Sequence, residues 1–436
     1  MENKPEQKKE HKKEHKIKKF FSRKRNVVIL VLILLIIIAG TVLAILLIKR
    51  TEKQGEGGND VKDTTEQEER VVKFYDDLTG ELISYSGYQK NLDGTRILDE
   101  NGEPIYVSEI QAKEAADAAN LKRINCIQIP NGTDARPQVG LSEAKIVYEA
   151  IAEGGITRFA ALYKDSNSDV IGPVRSLRMY YLEWDLPYDC TIIHAGGVKA
   201  AVQRAESYAH LSESSVYMWR DYSGYAAPNN LFTSAELLNS FNKSKKYDAS
   251  RPKVFARLTP EESNEQLKAI RKEQESKEED KKYTSVNSIY IHITAAKNYN
   301  VNYTYEPTTN TYLRSYEGNS GKHMSFTCID TGKSGNKIKP QKDCGGAKQV
   351  APKVVVVIKV DESLNQDNHY REEIVTTGSG EAWIFQNGIA IEATWARSNA
   401  ETGLELKDKK TGNPIKLAPG QTWITAIAKS YGYVKY

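Results

Sequence analysis

Arg158, Arg175 and Arg178 lie close together in the sequence, and the last two flank Ser176 at the expected start of a helix over 176–186. A helix start offers free backbone N–H groups and the positive end of a dipole. Planar guanidinium groups beside it can grip a phosphate or carboxylate with two parallel hydrogen bonds. His194 ends an apolar run and is followed by Gly196-Gly197 and a second helical stretch. That places it at the C-terminal edge of a strand, where open α/β sheets bind ligands, and where an imidazole could donate to an anion or act as a general base. Trp219, Arg220 and Asp221, then Asn229 and Asn230, supply an aromatic, a further cation and amides for a rim. The competing expectation is structural. Arg158 and Arg175 would pair with Glu149, Glu153 or Asp221, and His194 would cap a tight turn whose glycines serve the backbone alone.

The elements that must position these groups follow from periodicity. INCIQIPN, after Leu121, has the character of a strand, and the apolar runs 145–150 and 158–163 are joined by Glu153-Gly154-Gly155 as a hairpin. Leu177, Tyr180, Tyr181 and Trp184 have helical spacing, 189–194 is a strand, and 198–208 is a helix. Thr233 and Glu236 have capping-box spacing before AELLNSF. From Ser285 the pattern becomes short alternating strands separated by turns such as Gln386-Asn387-Gly388. The expected fold class is α+β: a lead-in segment over 71–119, an α/β domain over 120–258, a charged helical connector over 259–283 and a mostly antiparallel β domain over 284–430.

Ahead of these, Val27 to Ile48 is a run of 22 residues without a charge, long enough at about 1.5 Å per residue to span a hydrocarbon core of about 30 Å. Residues 26–48 are therefore expected to form a transmembrane helix. The first 25 residues carry a net charge of +7, which holds them in the cytoplasm against anionic headgroups and sends the C-terminal bulk outside. Residues 49–70 are polar and charged, suiting a flexible stalk. The net charge of +4 for all 436 residues conceals an exported portion near −5, which disfavours nucleic acid as its partner. Cys328 and Cys344 bracket a polar Gly/Lys loop and are the candidate disulfide on the oxidising side of the membrane. Cys126 and Cys190 lie in apolar runs as buried thiols, with a bridge between adjacent strands as the alternative. No Cys-x-x-Cys or paired-histidine spacing points to a metal, and no fingerprint implies a cofactor. Ser142-x-x-Lys145 and Lys410-Thr411-Gly412 mimic motifs of penicillin-binding enzymes, but the first precedes a strand and the second is a turn in another domain.

The phrases Gly154-Gly155-Ile156-Thr157-Arg158, Ile171-Gly172-Pro173-Val174-Arg175-Ser176 and Ile193-His194-Ala195-Gly196-Gly197 resemble the YerB-like family of Gram-positive bacteria. So do Asp77-Leu78-Thr79-Gly80 and Gly420-Gln421-Thr422-Trp423. The resemblance implies a two-domain extracytoplasmic protein and brings no catalytic assignment. This chain departs from it at Pro228-Asn229-Asn230, where such relatives carry Pro-His-Asn, and in lacking a Cys after the apolar run, so that the helix itself would be the anchor. The expected function is a single-pass cell-membrane protein whose outer domains bind an anionic envelope glycan or lipid-linked precursor. A transferase or hydrolase acting on such a polymer, and a scaffold for other membrane proteins, are the alternatives.

Overall fold

The computed structural model describes residues 71–436 except 92, 222–224, 254, 277–280, 319–320, 327–328, 332–337, 341–345 and 366–370. The basic tail, the apolar run, the stalk and the Cys328–Cys344 pair lie outside the described residues. Among those described, no helix is long and apolar enough to cross a membrane.

Gly154 and Gly155 both take positive φ, 56° and 75°, and fold the chain back between two eight-residue strands. These strands belong to a large mixed sheet built from β1 (Asn125–Pro130), β2 (Ile146–Glu153), β3 (Ile156–Tyr163), β4 (Thr191–Ile193) and β5 (His210–Leu211). It continues with β6 (Val354–Val360), β7 (Gly378–Gln386), β8 (Ile389–Arg397) and β9 (Thr422–Ala428). The spatial order is β5-β4-β1-β3-β2-β9-β6-β7-β8. The segments expected as two domains thus share one sheet, joined where Ile146 to Glu149 of β2 run parallel to Thr422 to Thr425 of β9. β9 also pairs in parallel with β6, so the later half is not purely antiparallel. VVVVIKV, TWITAIA and IVYEAIAE are nearly continuous apolar runs because these central strands are covered on both faces.

Alternate residues serve opposite faces. Val354, Val356 and Ile358 pack on one side with Tyr180, Tyr181 and Trp184. Val355 and Val357 pack on the other with Ile289, Val301, Tyr303 and Tyr312 from a four-stranded antiparallel sheet. The fold is mixed and largely β, with five helices among the described residues: α1 (Glu109–Asn120), α2 (Met179–Asp185), α3 (Lys199–Ala205), α4 (Ala235–Lys245) and α5 (Pro260–Glu275). Ser108 caps α1 in a capping box with Gln111.

Three local expectations are corrected. The helix expected from Ser176 begins at Met179, because the Arg175 N–H is drawn to Gln128 O (2.8 Å) and the Leu177 N–H to Gly196 O (3.0 Å). Those bonds hold residues 175–177 out of the helix, with Leu177 bridged to Gly197, and leave a helix of only seven residues. Thr233 exchanges backbone bonds with Ile171, so Ser234 caps α4 instead, accepting from the Leu237 N–H (3.1 Å). Cys126 and Cys190 are not free thiols. They form a disulfide from β1 to the entry of the neighbouring β4, with Cα atoms 5.9 Å apart and a sequence separation of 64.

Closing a loop of that length restricts the unfolded chain. The double variant Cys126→Ala/Cys190→Ala is expected to lose about 2–4 kcal/mol of unfolding free energy. Urea titration of the variant, and of the parent with and without reductant, checks this, and unchanged midpoints would contradict it.

Candidate functional site

Three of the sequence-selected residues converge, and a single carboxylate organises two of them. Glu153 closes β2 and accepts from Arg158 Nη2 of β3 (2.8 Å) and from Arg178 Nη2. Arg158 Nη1 donates to Ser176 O (2.7 Å) and Arg178 Nη1 to Leu177 O (3.1 Å), so both guanidinium groups also brace the 175–177 segment. Both arginines are almost wholly buried. Burial, then the neighbouring Arg178 charge, push the Arg158 pKa down to about 10. Burial works to raise that of Glu153, but Arg158 and Arg178 outweigh it and the net shift is downward. For Arg158 the structural expectation therefore prevails, with Glu153 as the acceptor, and Arg178 rather than Arg175 shares that carboxylate.

Arg175 differs. Its backbone is fixed by Gln128 O and by the Ala195 N–H, while its half-buried guanidinium makes no hydrogen bond or ion pair among the described residues. Burial lowers its pKa, with Glu153 raising it and Arg178 lowering it, followed by Asp134 and Arg220. The helix-start argument does not apply to it, since Arg178, not Ser176, is the cap residue of α2 and makes no side-chain cap.

His194 follows β4, fully buried, with Nδ1 2.9 Å from Gly196 O. Only an Nδ1–H can satisfy that carbonyl, so Nε2 carries the lone pair; it is buried and has no partner. Burial lowers its pKa. The residue caps its turn, as in the structural expectation, and is no donor to an anion. Gly196 takes φ 64°, and a Cβ on Gly197 would meet Leu177 O at 2.8 Å, so both glycines serve the backbone.

The rim residues are held in place. Arg220 donates to Glu213 Oε1 (2.9 and 2.6 Å) and to Asn230 Oδ1 (2.8 Å). Asn229 donates to Asp134 Oδ2 (2.7 Å), and the Asp221 N–H to Asn230 O (2.8 Å). Trp219 packs against Phe232, their ring centroids 6.4 Å apart. Several buried donors here lack partners: Arg158 Nε, Arg178 Nε, Trp219 Nε1 and Asn230 Nδ2. The surplus of donors over acceptors suits an anion or ordered water. No thiolate is available to a metal where Cys126, Asp185 and Cys190 approach one another, because both sulfurs are in the disulfide.

The sequence reading missed a buried network at the junction of the two halves. Glu149 of β2 and Arg314, from the strand Thr311–Tyr316, are both inaccessible to water, and Arg314 Nη2 donates to both Glu149 oxygens at 2.8 Å. Thr157 Oγ1 (3.2 Å) and Trp423 Nε1 (3.3 Å) also donate to Glu149. Arg314 also donates to Tyr303 OH (3.2 Å) and to His323 Nδ1. The one available signal was a charged residue inside each of two apolar strands, IVYEAIAE and TYLRSY.

Residues 111–248 match the model described as protein of unknown function (DUF3048) N-terminal domain, and residues 289–424 match its C-terminal domain. The chain belongs to this family. A curated relative named "Putative lipoprotein YerB", from Bacillus subtilis (strain 168), is 28% identical over 316 residues, covering 70% of this chain and 81% of the relative. The crystal structure of YerB protein from Bacillus subtilis superimposes with a TM-score of 0.54 at 23% identity, covering 73% of this chain and 96% of that one. At that identity the likeness shows a shared fold, and the YerB-like resemblance seen in the motifs holds across both family domains. The β2–β9 pairing joins one family domain to the other.

These environments separate the arginines experimentally. Glu153→Gln leaves two buried guanidinium groups around a neutral amide and is expected to cost about 2 kcal/mol or more. Arg175→Gln should change stability by less than about 0.5 kcal/mol. Denaturant midpoints of the two variants check the order, and the reverse order would contradict the assignment.

Proposed function

We propose that this protein is a membrane-anchored, extracytoplasmic cell-envelope component that binds an anionic ligand, an envelope glycan or lipid-linked precursor, through the surface around Arg175. The anchoring half of the reading draws on the uncharged run 27–48 behind a basic tail and on the lipoprotein name of the relative. Without a Cys after that run, the anchor proposed for this chain is the helix itself.

The observation that carries the binding half is the state of Arg175. Its guanidinium is half-buried and has no partner among the described residues, while Arg158, Arg178 and Arg220 around it are occupied by Glu153, Glu213, Asn230 and backbone carbonyls. A cation in that position, beside two arginines that share one carboxylate, favours a ligand of opposite charge. Ser176 and the rim formed by Trp219, Arg220 and Asn229 would orient the ligand. His194 is left out of the chemistry, because its remaining nitrogen is sealed from the surface.

The test is binding of the full-length protein in lipid nanodiscs to wall polymer purified from Gram-positive cells and to a lipid-linked precursor. Arg175→Gln is expected to weaken association with one of them about tenfold or more, with an unchanged melting temperature, in keeping with loss of a charge-assisted contact. Undiminished binding by the variant, or no binding of either ligand by the parent protein, would overturn the reading.

A further inference from the structure

We propose a second ligand site, at the junction of the two family domains, that takes a small amphiphilic anion: an aromatic ring system bearing one acidic group. The site is a cavity of about 400 Å3 lined by Arg136, Tyr316, Lys322, His323, Met324 and Phe326 among others, within the size range of small-molecule pockets. It shares no residue with the surface around Arg175 and does not depend on the reading of that surface.

The charge of the ligand follows from the ionic partners. Arg136 stacks on Tyr316, with its guanidinium carbon 3.5 Å from the ring centroid, and lies 5.2 Å from that of Tyr299. Its Nε donates to Asn131 O and Oδ1 (3.1 and 3.0 Å) and its Nη2 to Asn298 O (3.0 Å), while Nη1 is buried without a partner. Every acceptor it uses is neutral. Among the described residues no carboxylate lies within 4 Å of Arg136 or of the exposed Lys322, and Glu149 behind the pocket is occupied by Arg314. Two cations therefore face the cavity without a counter-charge among the described residues.

His323 adds no charge. Arg314 can only donate, so His323 Nδ1 must accept from it, and the ring proton sits on Nε2, which donates to Gln138 Oε1 (3.0 Å). Burial, then the Arg314 and Arg136 charges, hold its pKa well below the usual histidine range. The imidazole is thus a fixed neutral wall at physiological pH. The remaining lining, Tyr316, Met324, Phe326, Pro137 and Ala347, presents ring faces, a thioether and small apolar groups. A ring seated against these surfaces, with its acidic group toward Arg136 and Lys322, matches both halves of the cavity.

The experiment is calorimetric titration of the full-length protein in lipid nanodiscs, with empty nanodiscs subtracted. The probes are naphthalene-2-sulfonate and the neutral, similarly shaped naphthalene-2-sulfonamide. The sulfonate is expected to bind saturably with one site per chain, and the sulfonamide about tenfold more weakly. Lys322→Glu, at an exposed position with no ion pair among the described residues, should weaken the sulfonate about tenfold or more and leave the melting temperature unchanged. Ala347→Phe should fill the cavity and abolish binding. Absence of saturable sulfonate binding, equal affinity for the two probes, or full sulfonate affinity in the Lys322→Glu variant would overturn the proposal.

Discussion

A carboxylate and a guanidinium sealed from water sit where the two family domains meet, and the arrangement around them depends on their staying together. Removing either charge from water costs several kcal/mol, which only close pairing and full hydrogen bonding offset. Glu149 meets that requirement with Arg314, Thr157 and Trp423, and Arg314 with Glu149, Tyr303 and His323. Glu149 and Thr157 come from the first half of the chain, Trp423 from its last central strand, and Arg314 from the covering sheet. Neither half can bury its member alone. The pair thus acts less as a source of net stability than as a condition that the halves fold against each other.

The network extends outward to the proposed sites. Thr157 Oγ1 accepts from Asn131 Nδ2 (2.7 Å), and Asn131 Oδ1 accepts from Tyr316 OH (2.7 Å) and Arg136 Nε (3.0 Å). Asn131 begins the loop that carries Asp134, the partner of Asn229, and then Arg136, the cation of the junction cavity. One loop therefore connects the arginine surface to the cavity, and its start is pinned to the buried pair. Where the chain needed rigidity it used occupied charges, as in Glu153 with Arg158 and Arg178. The cations without counter-charges among the described residues, Arg175, Arg136 and Lys322, border solvent or a cavity.

Local features were legible in the sequence. The Gly154-Gly155 turn and the pairing of Arg158 with Glu153 each depend on neighbours close in sequence, and each appears in the structure. What stayed hidden depends on distant partners. The helix start moved from Ser176 to Met179 because Gln128 and Gly196 compete for the N–H groups of Arg175 and Leu177. The bridge between Cys126 and Cys190, open in the sequence only as the alternative to buried thiols, is decided by β1 and β4 lying side by side. The single sheet through both halves rests on Thr422 lying beside Ile146, and the Glu149–Arg314 pair spans 165 residues. Periodicity describes a strand's faces but not its neighbours.

The measurement that bears most directly on the buried pair as the link between the halves is hydrogen exchange across the described chain for the parent protein, Arg314→Met and the double variant Glu149→Met/Arg314→Met. Arg314→Met leaves a buried carboxylate alone, and the account predicts a loss of about 3–5 kcal/mol, with protection falling together in Ile146–Glu153 and Thr422–Ala428. The double variant should recover most of that loss. Loosening confined to the Thr311–Tyr316 strand, with Ile146–Glu153 as protected as in the parent, would contradict it.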